Sequence, residues 1–203
     1  MPAPPKHRDA IINAAVALFR RRGYSGTGLN DIVALSGAPK GSLFHYFPQG
    51  KASIAEAAVR RAGENTAITM RTLSAEHKSA GKLVRAYAGL LAGWMAKSKF
   101  ADGAPITTTV LEMAPEDEGI TEAARAAFDA LKEIFGERLR EDGVPAARAA
   151  SLAALAIAAI EGSLIQARVA CSVEPIESAA RELEALFAAN IDSTKARKPR
   201  RRG

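Results

Sequence analysis

The stretch from Leu29 to Phe47, LNDIVALSGAPKGSLFHYF, constrains this chain more than any other. Leu29, Ile32 and Val33 recur at i, i+3, i+4 and predict a short amphipathic helix. Gly37 follows at once, and glycine reaches the positive φ of a sharp turn without steric cost. Pro39 suits the first turn of a second helix, where a missing N–H is no loss. In that helix Leu43 and Phe47 share a face at i, i+4, and Phe44 is assigned to the core with them. Lys40, Ser42, His45 and Tyr46 are left to look outward, and Gly41 permits close approach. Two short helices about a glycine turn, the second presenting small polar, basic and aromatic groups, form the arrangement that reads the major groove of DNA.

The rest of the chain predicts an all-α protein. Of 203 residues, 48% are hydrophobic, enough for a real core. Alanine dominates them, which favours helix, and no stretch alternates with period two for long enough to suggest a strand. Charge is segregated. Residues 1–62 hold nine Lys and Arg against three Asp and Glu, net +6; residues 63–194 are net −6, and residues 195–203 net +6. A basic head carrying a helix-turn-helix is the electrostatic footprint of a polyanion binder. A single cysteine, Cys171, allows no internal disulfide and fits a reducing cytoplasm. It reads as a small buried hydrophobe before it reads as a redox switch. MPAPPKHRD has no signal-peptide core, and the apolar segment Ser151–Ile160 is too short to span a bilayer.

Helical periodicity extends along the chain. Met1 to Pro5 is expected to be a disordered arm. Lys6–Arg22 is a first helix ended by Gly23. Arg20, Arg21 and Arg22 suit both the helix dipole and a DNA backbone, two roles that can coexist. Thr27 is expected to cap the Leu29–Ser36 helix or to face a phosphate. Lys51 opens a long helix whose first turn can hold a phosphate. Beyond it lie helices over 82–96, 106–113, 121–140, 144–170 and from Pro175. The acids of Pro115–Gly119 sit where a helix dipole favours them. In the helix from 144, Ala150, Ala153, Ala154, Ala158 and Gly162 allow close approach, while Leu152, Leu155, Ile157, Ile160, Leu164 and Ile165 give apolar area. That pattern fits a two-fold, four-helix dimer contact made by the last two long helices; the alternative is one ordinary core helix.

The order IINAAVALFRRRGY, then T-x-L-x-x-I, then SGAPKGSLFHYF resembles the TetR family of bacterial transcription regulators, over the first 60 or so residues. The sequence departs from that family at three positions: Phe44 stands where a Tyr is usual, Pro39 where Ser or Thr is frequent, and Ala38 where a larger aliphatic is usual. The segments GAPITTTVLEMAPEDEGITEAARAAFDALKEIF and AIEGSLIQARV resemble the ligand-binding domain of the LmrA and YxaF subgroup. The resemblance implies an N-terminal three-helix DNA-binding domain and a larger helical domain for effector binding and dimerisation. It also implies that Lys51 contacts the DNA backbone.

The expected layout is a DNA-binding domain at residues 6–53, a ligand-binding and dimerisation domain at 54–192, and a basic disordered tail at 193–203. For DNA the candidates are Thr27, Lys40, Gly41, Ser42, His45, Tyr46 and Lys51, with packing beneath the fourth helix the other reading of Tyr46. For an apolar effector they are Trp94, Met95, Phe100, Met113 and Phe128, residues that also fit a plain core. His7, His45 and His77 have no metal-ligand spacing, and no catalytic motif is present. No cofactor or enzymatic activity is expected. The expected partners are double-stranded operator DNA, a small-molecule effector and a second copy of the chain, with no membrane. The alternative is a helical enzyme or interaction scaffold with an incidental helix-turn-helix.

Overall fold

The computed structural model describes residues 5–197. Among them are nine helices and no strand: α1 (Pro5–Arg22), α2 (Leu29–Ser36), α3 (Lys40–Tyr46), α4 (Lys51–Glu76), α5 (Ala80–Lys97), α6 (Pro105–Met113), α7 (Glu118–Glu141), α8 (Ala146–Ala170) and α9 (Glu174–Arg197). The all-helical expectation is met, and helix ends agree with the sequence reading to within a few residues. The disordered arm expected at the N-terminus lies, but for Pro5, outside the described residues. α9 runs on to Arg197, where a disordered tail was expected from 193, because the sequence has no Gly or Pro to stop it before Pro199. The remainder of the expected tail lies outside the described residues.

The chain divides into two compact units, the division falling within α4, between α5 and α6, and within α7. The first comprises residues up to Thr66 together with Asp102–Phe128. Its core is a continuous apolar cluster. α1 contributes Ile11, Ile12, Ala15 and Phe19, the helix-turn-helix Ile32, Leu43 and Phe47, α4 Ile54 and Val59, and α6 and α7 Ile106 and Ile120. Burying each large side chain is worth about 1.5–3 kcal/mol. α1 touches α2, α3 and α6, so it is the post around which the reading helices are fixed. Gly63 lets α4 and α7 close together, since a Cβ there would lie 2.6 Å from the Ala127 Cβ. Asp117, one of the acids expected to suit the dipole of this helix, also caps α7 by accepting the Ile120 N–H at 2.9 Å.

The second unit comprises Ala67–Ala101 and the chain from Asp129. α5, α8 and α9 pack on one another there. Tyr87, Phe135 and Phe187 run through the centre with ring centroids 6.5 Å apart at each step, a spacing at which tilted rings attract. Burial, with the Glu161 carboxylate adding to it, pushes the Tyr87 phenol well above its usual range. Ser79 caps α5, its hydroxyl accepting the Lys82 N–H at 3.3 Å, and Asp142 accepts the Ala80 N–H at 2.7 Å.

α8 is 25 residues long and, taken whole, long and apolar enough to cross a membrane, unlike the short segment Ser151–Ile160 alone. Its apolar residues divide between two sides. Leu152, Ile157, Ile160 and Leu164, expected to give apolar area to a dimer contact, are instead buried in the unit's own core, together with Ala153. Leu155, Ile165 and Val169 are exposed, at 49%, 51% and 84%. Cys171, expected to be buried, is exposed. It ends α8 in the left-handed region at φ 49°, which turns its side chain out of the helix packing.

Candidate nucleic-acid interface

Gly37 ends α2 at φ 63°, donating its N–H to the Val33 carbonyl, and Ser36 Oγ accepts the Ala38 N–H at 3.2 Å. Pro39 stands at the N-cap of α3, one position before the first turn in which it was expected, with φ −57°. Its carbonyl accepts the Ser42 N–H at 2.8 Å and starts the helix. Leu43 and Phe47 face inward and are 0% and 3% exposed. They seat α3 on the core, and Lys40, Gly41 and His45 are left exposed on its other side. Ser42 is half-buried. Tyr46 is also half-buried, packing against the core cluster while its ring meets His45 edge-on at 5.0 Å.

Phe44 is not a core residue, contrary to the sequence reading: it is 49% exposed. The cause is helical periodicity. With Leu43 and Phe47 one turn apart on the inner face, Phe44 falls on the face of Lys40, four residues earlier. The spacing is present in the sequence and outweighs the hydrophobicity of the ring.

Thr27 is not the cap of α2. Gly28 holds the N-cap position, and its N–H is satisfied by Asp31 Oδ2 reaching back 2.9 Å. Thr27 is 1% exposed, and its hydroxyl donates to the Gly23 carbonyl at 2.9 Å. Lys51, expected on a phosphate, points its ammonium at the Tyr24 and Thr27 carbonyls, each 3.0 Å away, and lies 4.0 Å over the Tyr24 ring. Both side chains are turned into the loop between α1 and α2. Of the three arginines ending α1, Arg20 pairs with Asp102 at 3.0 Å and Arg22 with Asp31 at 3.6 Å, while Arg21 is exposed.

Sequence reasoning missed Glu112 on α6. Its two carboxylate oxygens accept the N–H groups of Tyr24 at 2.7 Å and Ser25 at 2.8 Å. Desolvation by burial raises its pKa, but the hydrogen bonds from Ser25 and Tyr24 and the Lys51 charge outweigh that and hold it below the ordinary glutamate value. Tyr24 is shifted the other way, raised first by burial and then by Asp117 and Glu112. The partners of Glu112 lie 87 and 88 residues away along the chain, and no local pattern announces such a contact.

The effector candidates are distributed over both units. Met113 and Phe128 pack against the core of the first. In the second, Met95 is buried, Phe100 is half-buried just past the end of α5 at φ 60°, and Trp94 is 49% exposed. Among the described residues no group of three or more His, Cys, Asp or Glu is arranged to hold a metal ion.

An all-helical chain whose basic head seats a short helix after a glycine turn on a core shared with α1, α4, α6 and α7 has the architecture of a helix-turn-helix DNA-binding transcription regulator. The chain belongs to the TetR family: residues 11–58 match the bacterial regulatory proteins of the tetR family, and residues 80–182 match the C-terminal domain of LmrA/YxaF-like transcriptional regulators. It is 31% identical over 189 residues to an uncharacterised HTH-type transcriptional regulator of Mycobacterium tuberculosis (strain ATCC 25618 / H37Rv), covering 91% of this chain and 95% of that one. It is 30% identical over 169 residues to the HTH-type transcriptional regulator LmrA of Bacillus subtilis (strain 168), covering 83% and 90%. Among solved structures, a TetR transcriptional regulator from Chloroflexus aurantiacus superimposes with a TM-score of 0.74 at 27% identity, covering 91% of this chain and 95% of that one.

Proposed function

We propose that the protein is a cytoplasmic, dimeric, ligand-responsive regulator, acting as a repressor, that binds a palindromic operator and leaves it when a small apolar molecule occupies its larger domain. Residues 6–53 serve as the reading head and residues 54–192 as the ligand-binding and dimerisation domain, with a basic tail at 193–203. The observation that carries this reading is the exposed face of α3. Lys40, Gly41, Phe44 and His45 stand outward on a helix whose other side is locked into the core, the combination a groove-reading element needs.

In this reading Lys40 donates to a guanine edge, which discriminates by about 1–3 kcal/mol. Ser42 and Gly41 permit close approach, and His45 and Tyr46 lie towards the backbone. Thr27 and Lys51 serve the phosphates through the loop they hold: Lys51 keeps a third N–H beyond the two carbonyls it meets. Phe44 has no hydroxyl to offer a phosphate, and its ring suits the 5-methyl group of thymine. One short helix binds weakly, so two heads related by a two-fold axis are required. The outward stripe of α8, with small residues Ala158 and Gly162 beside a groove of about 510 Å³ shared with α9, is a surface a second copy can cover.

Trp94, Met95, Phe100, Met113 and Phe128 remain the candidates for apolar walls around the effector. A ligand that prefers the head spacing unable to bind DNA lowers operator affinity by that preference, and DNA lowers ligand affinity equally. Selection of bound duplexes from a random pool tests the reading. It should enrich inverted repeats whose halves are spaced by about one helical turn, roughly 34 Å, or a multiple of it. Recovery of unrelated sequences with no repeat would refute it.

A further inference from the structure

The turn joining α1 to α2 is gripped from two sides by groups of opposite charge. From α6, the Glu112 carboxylate takes two successive N–H groups, of Tyr24 and Ser25. From the first residue of α4, the Lys51 ammonium takes the carbonyls of Tyr24 and Thr27. A turn exposes N–H and C=O groups that no helix satisfies, and here each polarity has its own charged partner. The chain makes room for this: a Cβ on Gly23 would stand 2.3 Å from Glu112 Oε1, and Gly23 is also at φ 74°.

The same turn is continuous with the start of α2. The Thr27 N–H bonds back to the Tyr24 carbonyl at 3.1 Å, and the Gly28 carbonyl accepts the Ile32 N–H at 3.2 Å. The direction in which α2 leaves, and so the placement of α3 beyond Gly37, depends on how this turn is held. Docking of α6 against α1 does not depend on Glu112. Thr108 Oγ1 donates to the Phe19 carbonyl at 3.1 Å, the Gly103 N–H to the Arg20 carbonyl at 2.9 Å, and Arg20 pairs with Asp102.

We propose that Glu112 is a positioning residue for operator reading: with Lys51 it fixes the α1–α2 turn, and through it the angle at which the helix-turn-helix is presented to DNA. The proposal rests on the DNA-reading role given above. Removing Glu112 takes away a charge-assisted acceptor from two amides and leaves the α6–α1 contacts in place. A positioning role has a signature that electrostatics alone cannot produce. Deleting a carboxylate from a DNA-binding head tightens binding to every duplex when charge is all that matters. Loss of positioning weakens binding to the operator only.

The test uses the full-length chain with Glu112→Gln and Glu112→Ala, the duplex immediately upstream of the protein's own gene, and a random duplex. Hydrogen exchange without DNA is followed at Tyr24, Ser25 and the first turn of α2. With Glu112→Ala, exchange should rise about tenfold at Tyr24 and Ser25 and spread into α2, as expected on losing a charge-assisted hydrogen bond. Affinity for the upstream duplex should fall by a similar factor while random-duplex affinity holds or rises. Glu112→Gln, which keeps one accepting oxygen, should lie between. Exchange confined to Tyr24 and Ser25, or equal changes in affinity for both duplexes, would overturn the proposal. Should the wild type itself prefer neither duplex, the DNA-reading role is what fails, and the spread of exchange into α2 still decides whether Glu112 sets the helix.

Discussion

Replacing Leu155 and Ile165 together with glutamine is expected to separate the dimer without unfolding the protomer. The two side chains are 49% and 51% exposed, so their uncovered surface amounts to roughly one whole aliphatic side chain per protomer, worth about 2 kcal/mol when buried. A two-fold contact counts it twice, giving about 4 kcal/mol, or roughly a thousandfold in the dimer dissociation constant. Glutamine keeps helix propensity close to that of leucine, and both positions already face outward, so circular dichroism and the unfolding midpoint should change little. Sedimentation velocity over a concentration series reads the dissociation constant directly, and operator affinity should fall with it because a lone head has one half-site. A dissociation constant that moves less than about threefold would mean that the outward face of α8 is not the dimer contact, since even half of the 4 kcal/mol would shift it by well over tenfold.

Three further outcomes follow from named contacts. Gly63→Ala should destabilise the chain by about 1–3 kcal/mol through overpacking against Ala127, although alanine gains about 1 kcal/mol in an open helix; urea unfolding that shows net stabilisation would mean α4 and α7 give way easily. Uracil in place of thymine under Phe44 removes one methyl group, about 0.8 kcal/mol or roughly fourfold in affinity. That penalty should vanish in Phe44→Ala, and a penalty that persists there places the methyl against another residue. Glu112 titrates below its ordinary value of 4.5, so its contribution to stability is complete above that pH and is lost as pH falls through the lower folded value. Urea titrations of wild type and Glu112→Gln should therefore differ near neutrality and converge in acid; a constant difference would contradict the grip on the α1–α2 turn.

Much of the fold was legible because it is written locally. Gly37 and Pro39 punctuate the reader, Leu43 and Phe47 mark its inner face, and the 3.6-residue period of α4 to α9 needs no knowledge of what each helix meets. Phe44 shows where a local rule was overridden wrongly: its hydrophobicity suggested the core, while its place one residue after Leu43 puts it outside. Thr27 looked like a cap because threonine favours that position, but Gly28 with Asp31 does the work and the hydroxyl turns to Gly23. Lys51 carries no signal that two loop carbonyls lie within reach, and Glu112 none that it reaches the α1–α2 turn. Such contacts depend on where distant helices come to rest, and one sequence does not encode that in any short pattern. Val169 gives no sign of its exposure because an alanine-rich helix is apolar nearly all round, which hides the side that faces out, and Cys171 is turned outward by the left-handed residue position that ends α8.

Footprinting on the DNA immediately upstream of the protein's own gene, at several salt concentrations and with Lys40→Ala alongside, tests most directly whether α3 reads DNA. A groove-reading α3 protects one inverted repeat, weakens steeply as salt releases its phosphate contacts, and loses the footprint in the variant while keeping weak binding to any duplex. Equal, weak protection along the whole fragment by wild type and Lys40→Ala would contradict a sequence-reading role for α3.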